Sequence, residues 1–226
     1  MENVRLFIED GRSLLSRSPR KYDIISSNAV HARLGANLYT REFYELSHAK
    51  LKAGGVICQW LPTNWLSTRE FKSLVKAFTD VYPDAALWYI NRGHTLLTGS
   101  KKADKIKVKE SMQLTRGKLR EIGIRNYAEL TAHKWGDAGS LKKMVENVKP
   151  NTDDHPRVEF STVSNLRPNP DILNSLLELE ADLSAELDFS GMDPSDIQSF
   201  LENAEILRKM LRKELVSSIG GLDYSP

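Results

Sequence analysis

The sequence predicts an α/β fold: a mostly parallel sheet flanked by helices, closed by a terminal antiparallel hairpin and followed by a C-terminal α-helical extension. Three observations predict it. Short apolar runs alternate with helical spacing from Val4 to Tyr82. Two apolar runs then flank a tight Arg92-Gly93 turn. Beyond residue 166 only helical periodicity remains.

The elements follow in order. Residues 4–9, VRLFIE, read as a buried strand, and Asp10-Gly11 turns the chain into a short helix that Pro19 ends. YDIIS at 22–26 reads as a second buried strand. Thr40 caps a helix over 41–52, which Gly54-Gly55 stops. GVICQWL at 55–61 is apolar nearly throughout, as a central parallel strand should be. Ser67 and Glu70 form a capping box ahead of Phe71, Leu74, Val75 and Phe78 at helical spacing. Residues 85–91 and 94–99 form the hairpin. Residues 104–149 read as polar helices broken at Gly123 and Gly136. NTDDHPRVEF at 151–160 reads as a turn into a short strand. Two helices close the chain, one over 171–188 and one opened by Asp193-Pro194. The expected division is a domain over 1–165 and an acidic helical extension over 166–226.

Composition narrows the function classes. The hydrophobic share of 40% supports a packed core. One cysteine, Cys58, excludes an internal disulfide framework and fits a reducing, cytoplasmic setting. No apolar run approaches the ~20 residues that span a bilayer. Residues 1–165 hold 27 Lys+Arg against 18 Asp+Glu, while residues 166–226 hold 5 against 12. The basic side chains are spread over helix surfaces, which argues against a nucleic-acid face. The histidines are too scattered in sequence to suggest a metal site.

Three segments together resemble a known family: VRLFIEDGRSLL with KYDIIS, NLYTREFYELSHAKLKAGGVICQWLP, and FKSLVKAFTDVYPDAALWYINRGHTLLTGS. They are similar to the polyamine aminopropyltransferase (spermidine/spermine synthase) family, in the style of its bacterial membrane-fused spermidine-synthase-like domains. The NTDDHPRVEF turn resembles the end of that domain. The resemblance implies a class I methyltransferase-like (Rossmann-like) sheet. It implies transfer from decarboxylated S-adenosylmethionine, or use of S-adenosylmethionine, with a small-molecule amine as acceptor. It places Asp10 and Gly11 at the cofactor, the carboxylate accepting from the adenine amino group. It places Gln59 beside the amine substrate.

The sequence departs from that pattern twice. No GxGxxG-like run, which lets backbone approach a cofactor, occurs anywhere in the chain. The expectation is therefore an incomplete, N-terminally truncated domain, inactive alone, working with a complementing N-terminal half or as a homo-oligomer. The family's carboxylate pair after the YDxII strand falls in register on Asn28 and His31. Asn28 takes no proton at neutral pH. His31 is the weak catalytic candidate left, with an ordinary pKa near ~6.5. Asp153 and Asp154 are either replacement carboxylates or turn residues. Two other functions fit the same sequence: a non-catalytic interaction module and a methyltransferase with another acceptor.

Overall fold

The computed structural model describes residues 4–28, 32–102, 106–115, 117–158, 167–184 and 187–220. Asp10 caps α1 (Gly11–Arg17), which leads into β1 (Tyr22–Ser27). Thr40 caps α2 (Arg41–Lys50), which runs into β2 (Leu51–Pro62). The Ser67/Glu70 capping box starts α3 (Thr68–Thr79), and the hairpin of β3 (Ala86–Asn91) and β4 (His94–Ser100) follows. Then come β5 (Ile106–Lys107), α4 (Val108–Thr115), α5 (Lys118–Glu121), α6 (Tyr127–Ala132), β6 (Lys134–Gly136) and α7 (Ala138–Met144). The chain closes with α8 (Pro170–Leu177), β7 (Leu187–Asp188) and α9 (Pro194–Gly220).

The main sheet has the order β1-β2-β4-β3-β6, and β5 pairs with β7 apart from it. β1 lies parallel to β2, while β4 is antiparallel to both β2 and β3. Hence β1, β2 and β3 share one direction and β4 and β6 oppose it. The expected α/β class and terminal hairpin stand. Within the main sheet, among the described residues, hydrogen-bonded neighbours are parallel only at β1–β2, because the hairpin inserts β4 between β2 and β3.

The core lies between the sheet and α2, α3, α7 and α8. Tyr44, Phe78 and Tyr82 are fully buried there, with the Tyr44 and Phe78 rings edge to face at 4.9 Å. Burial pushes the Tyr44 phenol well up, so it stays protonated. Ile172, Leu173, Leu176 and Leu215 of α8 and α9 join this same core. A smaller cluster gathers Val108, Ala128, Leu187, Phe200 and Ala204.

Three sequence expectations are corrected. Residues 4–9 form no strand and lie exposed: Leu6 is 83% and Ile8 94% accessible. Their apolarity is that of a strand, but no described neighbour offers them a ladder. β1 is likewise not a buried strand, since its outer edge is open and Ile24 is exposed. The helix expected over 171–188 stops at Leu177. The chain leaves it so that Leu179 can cover Gly136 while Leu183 and Leu187 reach the smaller cluster. The strand expected to end near residue 160 falls partly outside the described residues, and Asn151–Val158 shows only turns.

Gly99 on β4 explains a close approach. A Cβ there would sit 2.6 Å from Tyr82 Cβ, in a ring already fully buried. Gly99→Ala should cost roughly 1–3 kcal/mol of stability through overpacking. Gly93→Ala, in the hairpin turn, should stay within about 0.5 kcal/mol. Urea denaturation of both variants checks the contrast.

Candidate functional site

The parallel register of β1 and β2 sets Ser27, the last residue of β1, beside Gln59, three residues before β2 ends at Pro62. Strand ends of this kind are where α/β sheets bind ligands. Gln59 is fully buried; its Nε2 donates to the Trp60 carbonyl at 3.0 Å, while Oε1 has no hydrogen-bond partner. The buried Tyr39 hydroxyl faces this amide without completing a bond, and Ser27 Oγ is also buried and unpartnered. Burial drives the Tyr39 phenol far above its ordinary pKa, so it remains a neutral hydrogen-bonding group. Ser27, Tyr39 and Gln59 hydrogen-bond; none of them takes a proton at neutral pH.

Asp10 lies beside Asn37. Its Oδ1 accepts from Ser13 N–H at 2.7 Å as the N-cap of α1. That backbone hydrogen bond holds the carboxylate below its ordinary pKa, with Asn37 and Arg12 adding to the effect. A Cβ added at Gly11 would meet nothing within 4 Å, so the helix start is open. Asn28 follows β1 and is exposed. His31 lies outside the described residues.

A brace joins these pieces. Arg12, two residues beyond Asp10, donates to the Asn37 carbonyl at 2.9 Å and to both carboxylate oxygens of Asp153 at 2.8 and 2.5 Å. Asn151, fully buried, donates to the Tyr39 carbonyl at 3.1 Å and accepts from Arg157 N–H. The Asp153 amide is in turn held by Glu42 at 3.0 Å. The 151–157 turn thus fixes the loop that carries Tyr39 against Gln59. Asp153 is engaged by Arg12 as a brace, while Asp154 stands exposed. Arg12, Tyr39 and Asn151 escaped the sequence reading. Only the NTDD turn itself signalled that this segment matters.

Beyond β2, Trp65 adopts a left-handed φ of 61°, and its carbonyl accepts from Arg33 at 2.9 Å. Among the described residues no group of three or more His, Cys, Asp or Glu gathers to hold a metal. No helix among them is long and apolar enough to cross a membrane.

The bidentate Arg12–Asp153 pair has a pH signature. The hydrogen bond from Arg12 lowers the folded pKa of Asp153 below its ordinary 3.8. The pair therefore stabilises the fold above that value and loses its contribution as pH falls through the folded pKa. With Asp153 at 40% side-chain exposure, screening limits the gain. Asp153→Asn should cost about 1 kcal/mol or less near neutral pH. Thermal melts of both forms should differ at neutral pH and converge in strong acid.

Comparison with known proteins adds the family context. Residues 1–104 match the family model described as the spermine/spermidine synthase domain. A spermidine synthase of Dictyostelium discoideum is 32% identical over 89 residues, covering 38% of this chain and 31% of that protein. A polyamine aminopropyltransferase 2 of Hyperthermus butylicus is 28% identical over 148 residues, covering 59% of this chain and 47% of the relative. Another, from Pseudomonas aeruginosa, is 44% identical over 55 residues, covering 23% and 16%. The chain thus spans less than half the length of these relatives. A solved structure, of a probable spermidine synthase from Corynebacterium glutamicum, aligns with a TM-score of 0.44 at 18% identity, covering 65% of this chain and 53% of that one.

Proposed function

We propose, from the premise that residues 1–104 are a spermine/spermidine synthase domain, that this chain serves aminopropyl transfer from decarboxylated S-adenosylmethionine to a small amine. The observation that supports it most is the Ser27–Gln59 register, which leaves an unpartnered amide oxygen on β2 where β1 ends beside it. On this reading Asp10 accepts a hydrogen bond from the adenine amino group, above the open helix start at Gly11. Gln59, its Nε2 held by the Trp60 carbonyl, faces the acceptor.

The reaction sets demands on these residues. The amine lone pair attacks the carbon bonded to the sulfonium. A C–N bond forms, the C–S bond breaks, and its electron pair stays on sulfur as methylthioadenosine leaves. The amine then sheds a proton. Asn28, at the position of the family's base, cannot take it, which leaves His31, three residues further along the sequence, as the candidate imidazole. A polyamine also brings charges that need carboxylates to offset their desolvation, and Asn28 supplies none. We therefore infer that the chain is inactive alone. A complementing polypeptide would supply the glycine-rich turn that holds the donor. A cytoplasmic setting belongs to the same proposal.

A second reading, a non-catalytic interaction module, is favoured by the exposed Ile206, Met210 and Val216 on α9. A methyltransferase with another acceptor shares the donor requirement.

Calorimetric titration with methylthioadenosine separates these readings. The isolated chain should show no micromolar affinity. Adding a polypeptide that carries a glycine-rich strand–turn segment of a relative should restore binding. Asp10→Asn should then weaken it about tenfold, the scale of one hydrogen bond to a charged group. Restored binding that is indifferent to Asp10→Asn would remove the role given to Asp10. No binding with any complement would favour the interaction module.

A further inference from the structure

Negative charge is missing around Gln59. Neither 24–41 nor 51–69, the two stretches that meet where β1 ends, contains an Asp or a Glu. They carry Arg33, Arg41, Lys52 and Arg69 instead. Ser27 and Gln59 are register partners, so their side chains leave the sheet on the same face. The Trp60 carbonyl only accepts, which fixes Gln59 Nε2 on its side and turns Oε1 away from it. Tyr39 and Gln59 are fully buried. Ser27 Oγ, the Tyr39 hydroxyl and Gln59 Oε1 have no hydrogen-bond partner among the described residues. A buried oxygen in this state is costly until a group donates to it.

We propose that this cluster takes its acceptor as an uncharged primary amine, whose two N–H groups donate to Gln59 Oε1 and to the Tyr39 hydroxyl oxygen. The inference rests on the transferase reading, which makes the ligand an amine. Burying an ammonium requires a negative partner, and the carboxylates of the neighbouring elements are committed elsewhere. Asp10 caps α1, Glu42 holds the Asp153 amide, Glu70 closes the capping box of α3, and Asp153 pairs with Arg12. Burial keeps the Tyr39 phenol neutral, so it supplies no charge either. Neutral oxygens suit a neutral amine, which offers N–H donors and keeps its lone pair free.

This lifts a demand that Asn28 cannot meet. An amine that arrives uncharged needs no base before it attacks. Its lone pair forms the C–N bond, the pair of the broken C–S bond stays on sulfur, and the extra proton passes from the product nitrogen to solvent afterwards. The preferred acceptor is thus a weakly basic primary monoamine, since a polyamine would carry further charges into a site without carboxylates. Entry lies at the end of β1, where half-buried Ser27 gives way to exposed Asn28.

Amide chemical-shift titration of the full chain tests this with 2,2,2-trifluoroethylamine, which stays largely uncharged at neutral pH, with ethylamine of the same length, and with 1,4-diaminobutane. Trifluoroethylamine should move the Ser27 and Gln59 signals with a dissociation constant that is flat from about pH 7.5 to about pH 9.5. The constant for ethylamine should fall about tenfold per pH unit over that window, as its uncharged fraction rises. The protein does not mimic this slope: the Tyr39 phenol titrates far higher, and Cys58, whose thiol burial pushes up, points to the other face of the sheet. Tyr39→Phe should weaken trifluoroethylamine about three- to tenfold. It should not lower the melting temperature, because the hydroxyl has no partner to lose. A flat ethylamine profile overturns the inference. So does 1,4-diaminobutane binding tighter than trifluoroethylamine at about pH 7.5, indifference to Tyr39→Phe, or no saturable shift with any amine. Methylthioadenosine titration with the complementing segment reads the transferase assignment separately. Restored methylthioadenosine binding beside a diamine preference overturns this inference alone. The predicted amine slope without any methylthioadenosine binding overturns the transferase reading and leaves the amine site standing.

Discussion

The molecule turns on the parallel pairing of β1 with β2. Four consecutive pairs, Ile24↔Val56 through Ser27↔Gln59, hold the register and bring the end of β1 level with Gln59 of β2. A slip of one residue would turn every side chain of β1 to the other face. Gly55 permits the close approach, because a Cβ there would lie 2.9 Å from the Tyr22 carbonyl oxygen. The positive φ of Gly54 lets β2 bulge before the register resumes. Everything at the site follows from this pair: where Gln59 ends, what Tyr39 can touch, and which edge is left open.

That pairing also divides the chain into a braced side and a bare one. On the braced side, Arg12, Asp153, Asn151 and Glu42 bind loops far apart in sequence to one another. On the bare side, β1 shows its edge to solvent and the 4–8 segment shows its apolar face. The open edge and the Ser27–Gln59 pair sit on one strand. Asn28, which cannot serve as a base, immediately follows Ser27. Whatever covers the edge therefore also borders the site.

Much of the fold was legible because local signals carried it. The Ser67/Glu70 box, the Thr40 cap and the Arg92-Gly93 turn act within a few residues, and each marks its element as expected. The errors arose where a pattern is shared by two outcomes. VRLFIE looks the same whether a neighbouring strand is present or not. Leu179, Leu183 and Leu187 keep a helical rhythm, yet they serve two different clusters. At the site, Gln59 was expected at the end of its strand, but β2 runs three residues further, to Pro62. Arg12 could not be recognised as a brace, since its partner Asp153 lies 141 residues away. Tyr39 gave no signal either, because what marks it is burial against Gln59.

The central proposal is that the end of β1, Gln59 on β2 and Asp10 form a ligand site that holds adenosine weakly. Amide chemical-shift mapping with about 5 mM methylthioadenosine tests it most directly. The account predicts weak, unsaturated shifts concentrated at Asp10, Gly11, Ser27 and Gln59. Saturation at micromolar ligand, or shifts confined to α8 and α9, would contradict it.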